Sequence, residues 1–202
     1  MIRNVVFDMG NVMIYFHKSM FLDRAGLEGE DRTLLERVVF DSLEWARMDR
    51  GSLLEPEAEK IMCARLPERL HGYVHEFIYD WDKPLVPVPG MAALVRELKE
   101  KGYGIYLLSN AASRQHDYWP RIPGSECFDG TLISADELLT KPEREIFALF
   151  FERFSLVPDV CVFIDDNTMN AEGAYFSGMH PIVFHDDVDE LRARLREEGV
   201  QV

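Results

Sequence analysis

Short runs rich in β-branched and aromatic residues recur along the chain at residues 3–7, 104–108, 130–134, 160–164 and 181–184. Each has the length and unbroken apolar character of a strand buried on both faces. Helical spacing fills the intervals between the later runs. Met91, Leu94, Val95 and Leu98 stand at i, i+3, i+4 and i+7, and Lys101-Gly102 closes the pattern. Phe147, Phe150, Phe151 and Phe154 repeat that spacing, and Val188, Leu191 and Leu195 follow it more sparsely. Buried strands alternating with amphipathic helices predict an α/β fold, with a doubly wound, mostly parallel sheet.

Between the first run and Gly90 the rhythm changes. Residues 18–81 read as helical throughout, with breaks near 26–30, 51–52 and 66–67. Pro84, Pro87, Pro89 and Gly90 then make a stiff connector before the alternation begins. The expectation is an α/β core from residues 1–16 and 84–202, with a helical cap at 17–83 inserted after the first strand.

Charge narrows the partners. The formal net charge is -14, which repels nucleic acid and anionic membranes. An anionic substrate would therefore need local positive charge at its site. The N-terminal apolar stretch is cut short by Asp8 and reads as neither a signal peptide nor an anchor. Cys63, Cys127 and Cys161 are odd in number and widely spaced, which fits reduced thiols in a cytoplasm.

In an open α/β sheet, ligands bind beyond the carboxyl ends of the strands. There the first run delivers Asp8-Met9-Gly10-Asn11, the second Ser109-Asn110, and the fourth Asp165-Asp166-Asn167. Lys141-Pro142 precedes the helix leading into the fourth. Three acids, a hydroxyl and a lysine would meet on one edge. Clustered carboxylates suit a hard cation, most plausibly Mg²⁺. A free carboxylate beside it can act as a nucleophile that divides phosphoryl transfer into two steps.

Val6-Phe7-Asp8-Met9-Gly10-Asn11-Val12, Leu107-Leu108-Ser109-Asn110, Lys141-Pro142 and Phe163-Ile164-Asp165-Asp166-Asn167-Thr168-Met169-Asn170 resemble, in order, the four motifs of the haloacid dehalogenase superfamily. The insertion resembles that family's small helical cap on a Rossmann-like core. The resemblance implies a Mg²⁺-dependent phosphatase acting on a small phosphorylated metabolite, as a monomer or weak homodimer. Asp8 matches the nucleophile that becomes phosphorylated. Ser109 and Lys141 match the groups holding the phosphoryl oxygens. Asp8, Gly10 through its carbonyl, Asp165 and Asp166 match the metal ligands. Asn11 and Asn110 are expected among the substrate contacts, and Asn170 orients its neighbours.

One position departs from the pattern. Most phosphatases of the superfamily carry a second aspartate, the general acid and base, two residues after the nucleophile; here Gly10 stands there. The Asp-x-Gly-Asn form is similar to the branch containing glucose-1-phosphate phosphatases and the N-terminal phosphatase domain of soluble epoxide hydrolases. That likeness suggests a sugar 1-phosphate, whose hemiacetal leaves readily. His17 or His116 are alternatives for the missing acid. Trp45, Met48 and Trp81 are expected either to line the pocket or to hold the cap together. A metal-independent 2-haloacid dehalogenase uses the same nucleophile, but the paired acids Asp165-Asp166 count against it. A protein that binds phospho-ligands with little turnover is the remaining alternative.

Overall fold

Strand β1 (Asn4–Phe7) lies at the centre of a five-stranded sheet, because Val5, Val6 and Phe7 are all fully buried and need cover on both faces. The computed structural model describes all 202 residues. Around β1 stand β2 (Gly104–Ser109), β3 (Gly130–Ile133), β4 (Cys161–Asp165) and β5 (His180–Val183), in the order β3-β2-β1-β4-β5. Every neighbouring pair is parallel, so the sheet is wholly parallel. Strand boundaries move by a residue from the sequence expectation. Ser109 and Asp165 are the last members of their strands, and Ser134 leaves β3 to open a short helix.

Five helices follow β1 directly: α1 (Lys18–Arg24), α2 (Gly29–Leu35), α3 (Leu43–Asp49), α4 (Glu55–Cys63) and α5 (His71–Tyr79). They form the helical cap inserted after the first strand. Between α2 and α3 the helix widens into a π turn over Glu36–Phe40 and stops, a break not expected from the sequence. Ser42 causes the restart, its hydroxyl accepting the Trp45 backbone N–H at 3.1 Å. The remaining helices are α6 (Met91–Glu100), α7 (Gln115–Tyr118), α8 (Ser134–Glu137), α9 (Arg144–Phe154), α10 (Thr168–Phe176) and α11 (Val188–Glu197).

Strand alternation sorts these helices onto two faces. Val6 and Leu108 point to the face covered by Ile146, Phe147 and Phe150 of α9 and Ala174 of α10. Val5, Phe7, Ile105 and Leu107 point to the other, covered by Leu94 and Leu98 of α6 and Leu191 and Leu195 of α11. That second cluster runs on into the cap through Phe21, Met48, Val74 and Phe77. Each such side chain, fully buried, contributes about 1.5–3 kcal/mol, so cap and core share one apolar body along this face. No helix is long and apolar enough to cross a membrane.

Candidate active site

Three strand ends and one loop bring the polar residues together. Asp8 follows β1 directly, and its backbone N–H still donates to the Ile164 carbonyl at 2.8 Å, so its position is set by the sheet. Lys141 arrives from the loop between α8 and α9. Asn110, just past β2, clamps that loop: its side-chain amide donates to the Lys141 carbonyl at 2.9 Å and accepts the Lys141 N–H at 2.8 Å. The Lys141 ammonium is wholly buried, 2.6 Å from Asp8 Oδ1 and 2.7 Å from Asp165 Oδ2. A solvated lysine is thereby excluded.

Asp165 is saturated. Oδ1 accepts the Asn167 backbone N–H at 2.8 Å, Oδ2 accepts Lys141, and the Asn170 amide lies 3.1 Å from both oxygens. Asp166 is exposed and accepts one bond, from Asn11 Nδ2 at 3.0 Å. Asn11 sits at a positive φ of 54°, a conformation asparagine tolerates better than most residues. Its carbonyl oxygen takes the Phe16 N–H at 2.8 Å. Both ends of the Asn11 amide are thus spent on the loop and on Asp166, and Asn11 does not line the cavity described below. Other hydrogen bonds in this loop run to the carbonyls of Met9 and Ile14, and the Gly10 carbonyl takes no part in them.

Two further features suit the site to a ligand. Ser109 is almost fully buried, yet its Oγ has no hydrogen-bond partner, an arrangement that native proteins tolerate where a ligand completes the shell. Carboxylate oxygens of Asp8, Asp165 and Asp166 lie within 4.8 Å of one another. That spacing fits the oxygen shell of a hard cation bonded at roughly 2.0–2.6 Å. Asp166 and the Gly10 carbonyl are the oxygens with free acceptor capacity, and Asp165 is better placed to orient Lys141 and Asn170.

The electrostatics fit the same gap. Burial pushes the Asp8 carboxyl up to about 7, with Asp165 and Asp166 adding to the rise and Lys141 opposing it. The Asp166 carboxyl, exposed on one side only, is also raised by partial desolvation, with the Asp165 charge adding to the rise. Burial alone would lower Lys141, but Asp165 and Asp8 outweigh it and leave the ammonium more firmly protonated than usual. One buried cation thus faces more negative charge than it can neutralise, so a divalent cation would restore Asp8 as a carboxylate.

From Asp8 a cavity of about 670 Å³, counting its open mouth, extends toward the cap. Asp8, Gly10, Asn110, Lys141 and Asn170 form its floor, while Phe16, Trp45, Met48, Ile78, Trp81 and Tyr118 supply most of its walls. Trp45, Met48 and Trp81 therefore do line the pocket. The histidines do not. His116 is exposed and bonded to Asp136 at 2.9 Å, and His17 ends the segment before α1. His71 and His75 pack on the Leu66 carbonyl and Glu59.

Asp49, at the end of α3, also lines this cavity and is absent from the sequence expectation. Burial raises its carboxyl to about 7, with the Asp8 charge adding to the rise. Only its neighbour Gly51, an apparent helix break, hints at it in the sequence.

The family profile of haloacid dehalogenase-like hydrolases matches residues 2–178. The chain belongs to that family. Among curated relatives, the drimenol cyclase drtB of Aspergillus calidoustus is 23% identical over 199 residues, spanning 96% of this chain and 36% of that protein. The sesquiterpene phosphatase astK of Aspergillus oryzae is 28% identical over 102 residues, 47% of this chain and 49% of that protein. This chain thus spans about a third to a half of those relatives' length. Two solved structures share the fold. A family enzyme of Bacteroides thetaiotaomicron, in complex with magnesium and inorganic phosphate, has a TM-score of 0.71 at 20% identity, covering 95% of this chain and 99% of its own. The L-2-haloacid dehalogenase of Xanthobacter autotrophicus, with chloropropionic acid covalently bound, has a TM-score of 0.67 at 18% identity, covering 100% and 85%.

Proposed function

We propose that this hydrolase is a Mg²⁺-dependent phosphomonoesterase that works through an aspartyl-phosphate on Asp8. The observation that carries the reading is the buried Lys141, locked between Asp8 and Asp165, together with the unpartnered Ser109 Oγ at the end of the neighbouring strand β2. That is a cationic, donor-lined niche next to a carboxylate. Asp8 Oδ attacks phosphorus, the P–O ester bond breaks, and water then cleaves the P–O bond to Asp8. Lys141 and Ser109 hold the phosphoryl oxygens; Asn110 positions Lys141, and Asn11 positions Asp166. Asp8, the Gly10 carbonyl and Asp166 would hold Mg²⁺, with Asp165 in support. Bound there, the ion supplies positive charge that offsets the phosphoryl oxygens and the crowded carboxylates. All these groups come from one chain, so a monomer suffices.

Aromatic walls favour a hydrophobic leaving group over the sugar 1-phosphate that the motifs suggest. A terpenoid or aryl alcohol would bury its apolar surface against Phe16, Trp45 and Trp81. The sesquiterpene phosphatase among the relatives supports that choice. The dehalogenase reading is weaker, because a halide displacement has no use for Asp166 and its free ligand capacity. The expected outcome is hydrolysis of farnesyl monophosphate in Mg²⁺ with kcat/KM well above that for glucose 1-phosphate, and none in excess EDTA. Undiminished turnover in EDTA, or release of halide from 2-chloropropionate, would overturn the reading.

A further inference from the structure

We propose that Asp49, carried by the cap, is the acid that protonates the leaving group and the base that then activates water. The inference rests on the phosphomonoesterase reading. In an in-line displacement the leaving oxygen lies opposite the attacking one. With Asp8 on the cavity floor, the ester oxygen must face the cap side. Gly10, where the family usually supplies this acid, lines the same cavity and presents no side chain at all.

On the cap side few groups can exchange a proton. Asp8 and Lys141 face Asp49 from the floor, and Glu55, Arg114 and Tyr118 share its side of the cavity. Arg114 stays charged at any working pH. Burial, with help from Asp49, holds the Tyr118 hydroxyl far above its usual range, so it is a poor acid. Lys141 is committed to two carboxylates. Glu55 and Asp49 remain. Asp49 is the one tethered, through Ser134, to the loop after β2 that carries Asn110, and a carboxyl raised to about 7 suits both giving and taking a proton near neutrality.

Asp49 is also held in place, unlike an ordinary helix-end aspartate. Its backbone carbonyl accepts the Ser134 hydroxyl from the start of α8, and the Ala112 backbone N–H opposes the rise of its carboxyl. Ser134 Oγ in turn accepts the Ala111 N–H at 2.9 Å, in the loop after β2. Arg50 forks onto Glu143, two residues after Lys141. Gly51, at φ +77°, packs so closely that a Cβ would collide with the Ala135 carbonyl. Three consecutive cap residues are thus tied to the core segments that also position Ser109-Asn110 and Lys141. The steps balance. As Asp8 Oδ bonds to phosphorus, the Asp49 proton passes to the departing ester oxygen. Then the Asp49 carboxylate takes a proton from the water that attacks phosphorus, Asp8 is released, and Asp49 is again protonated.

The test compares wild type, Asp49→Asn, Asp49→Glu and Glu55→Gln on p-nitrophenyl phosphate and benzyl phosphate, with Mg²⁺, from pH 5 to 9. These pH values are chosen to bracket the value of about 7 at Asp49. Asp49→Asn should lose about 10²–10⁴-fold in kcat/KM on benzyl phosphate, whose alcohol needs the proton. On p-nitrophenyl phosphate its kcat/KM should stay near wild type. Its kcat should fall, however, with a p-nitrophenol burst as the phosphorylated enzyme waits for water. The alkaline fall in benzyl phosphate turnover near pH 7 should vanish, and Asp49→Glu should restore part of the rate. Gly10→Asp in the Asp49→Asn background should also recover benzyl phosphate turnover, since Gly10 has an ordinary φ and its nearest Cβ neighbour is Phe16 Cβ at 3.7 Å. Equal kcat/KM losses on both esters in variants that melt like wild type would mean a structural role and overturn the proposal. So would the same leaving-group selectivity in Glu55→Gln. Wild type inactive on both esters would instead sink the phosphomonoesterase reading itself.

Discussion

The floor of the cavity and its roof are built on opposite principles. The acids and the hydroxyl of the floor sit at or just past a parallel strand end, where the backbone ladder fixes them, and a loop brings Lys141 to join them. Asp8 continues β1, Ser109 ends β2, Asp165 ends β4, and Lys141 is clamped by Asn110. The roof is aromatic and assembled from cap helices and the segments flanking them, with Phe16 meeting Trp81 edge-on at 4.8 Å and Trp45 at 5.9 Å. Chemistry that tolerates no displacement is placed on the sheet, whereas recognition, which can vary, is placed on helices packed through rings. Asp49 crosses that division. It belongs to the roof by sequence and to the floor by the tethers of Asp49, Arg50 and Gly51 to Ser134, Glu143 and Ala135.

If the floor does the chemistry, the largest effect belongs to Asp8. Asp8→Asn should retain the fold and lose roughly 10⁴-fold or more in kcat on any ester, as expected for a removed nucleophile. Turnover within tenfold of wild type would move the chemistry elsewhere. Lys141→Met comes next, and it breaks stability as well as activity. Removing a buried cation leaves Asp8 and Asp165 uncompensated, a loss of about 3–5 kcal/mol, read as the midpoint shift in urea denaturation. A Lys141→Met protein as stable as wild type would mean that the floor is less tightly coupled than its geometry implies.

The roof should respond differently. Trp45→Ala ought to reduce kcat/KM for farnesyl monophosphate by roughly 10–100-fold, through lost apolar contact, and leave p-nitrophenyl phosphate nearly unchanged. Equal losses on both would erase the distinction between roof and floor. The smallest effect concerns pH. Folding raises Asp8 and Asp49 to about 7 from an unfolded value near ~3.9. The folded state therefore binds more protons between those limits, and stability falls as pH rises through them. In EDTA the wild-type Tm should drop between pH 5 and pH 8, a range that spans the raised values. Asp49→Asn should drop less, and Mg²⁺ should reduce the drop by stabilising ionised Asp8. A variant that tracks wild type would mean that Asp49 is not perturbed.

The floor was largely legible because a buried parallel strand is a continuous apolar run, so its end is marked by the first polar residue. That rule finds Asp8, Ser109-Asn110 and Asp165-Asp166, with errors of a single residue at the boundaries. It says nothing of which carboxylate is saturated. The bonds from Asn167, Asn170 and Lys141 that occupy Asp165 depend on how β4 meets α10 and the Lys141 loop. The roof was less legible. Asp49 stands in a charged stretch with Glu44, Arg47 and Arg50, and nothing in that pattern marks one acid as facing the cavity. Contacts distant in sequence, from Asp49 to Ser134, Arg50 to Glu143 and Gly51 to Ala135, turn it inward. His17 and His116 stand near the motifs in sequence, yet neither lines the cavity.

The central claim, that Asp8 is phosphorylated during turnover, is tested most directly by quenching the enzyme in acid while it hydrolyses p-nitrophenyl phosphate in Mg²⁺. The adduct is then mapped by peptide mass spectrometry. The account predicts one phosphoryl group, on the peptide containing Asp8, present in wild type, enriched in Asp49→Asn and absent in Asp8→Asn. Steady hydrolysis with no covalent adduct in any of these proteins, or an adduct on a residue other than Asp8, would contradict it.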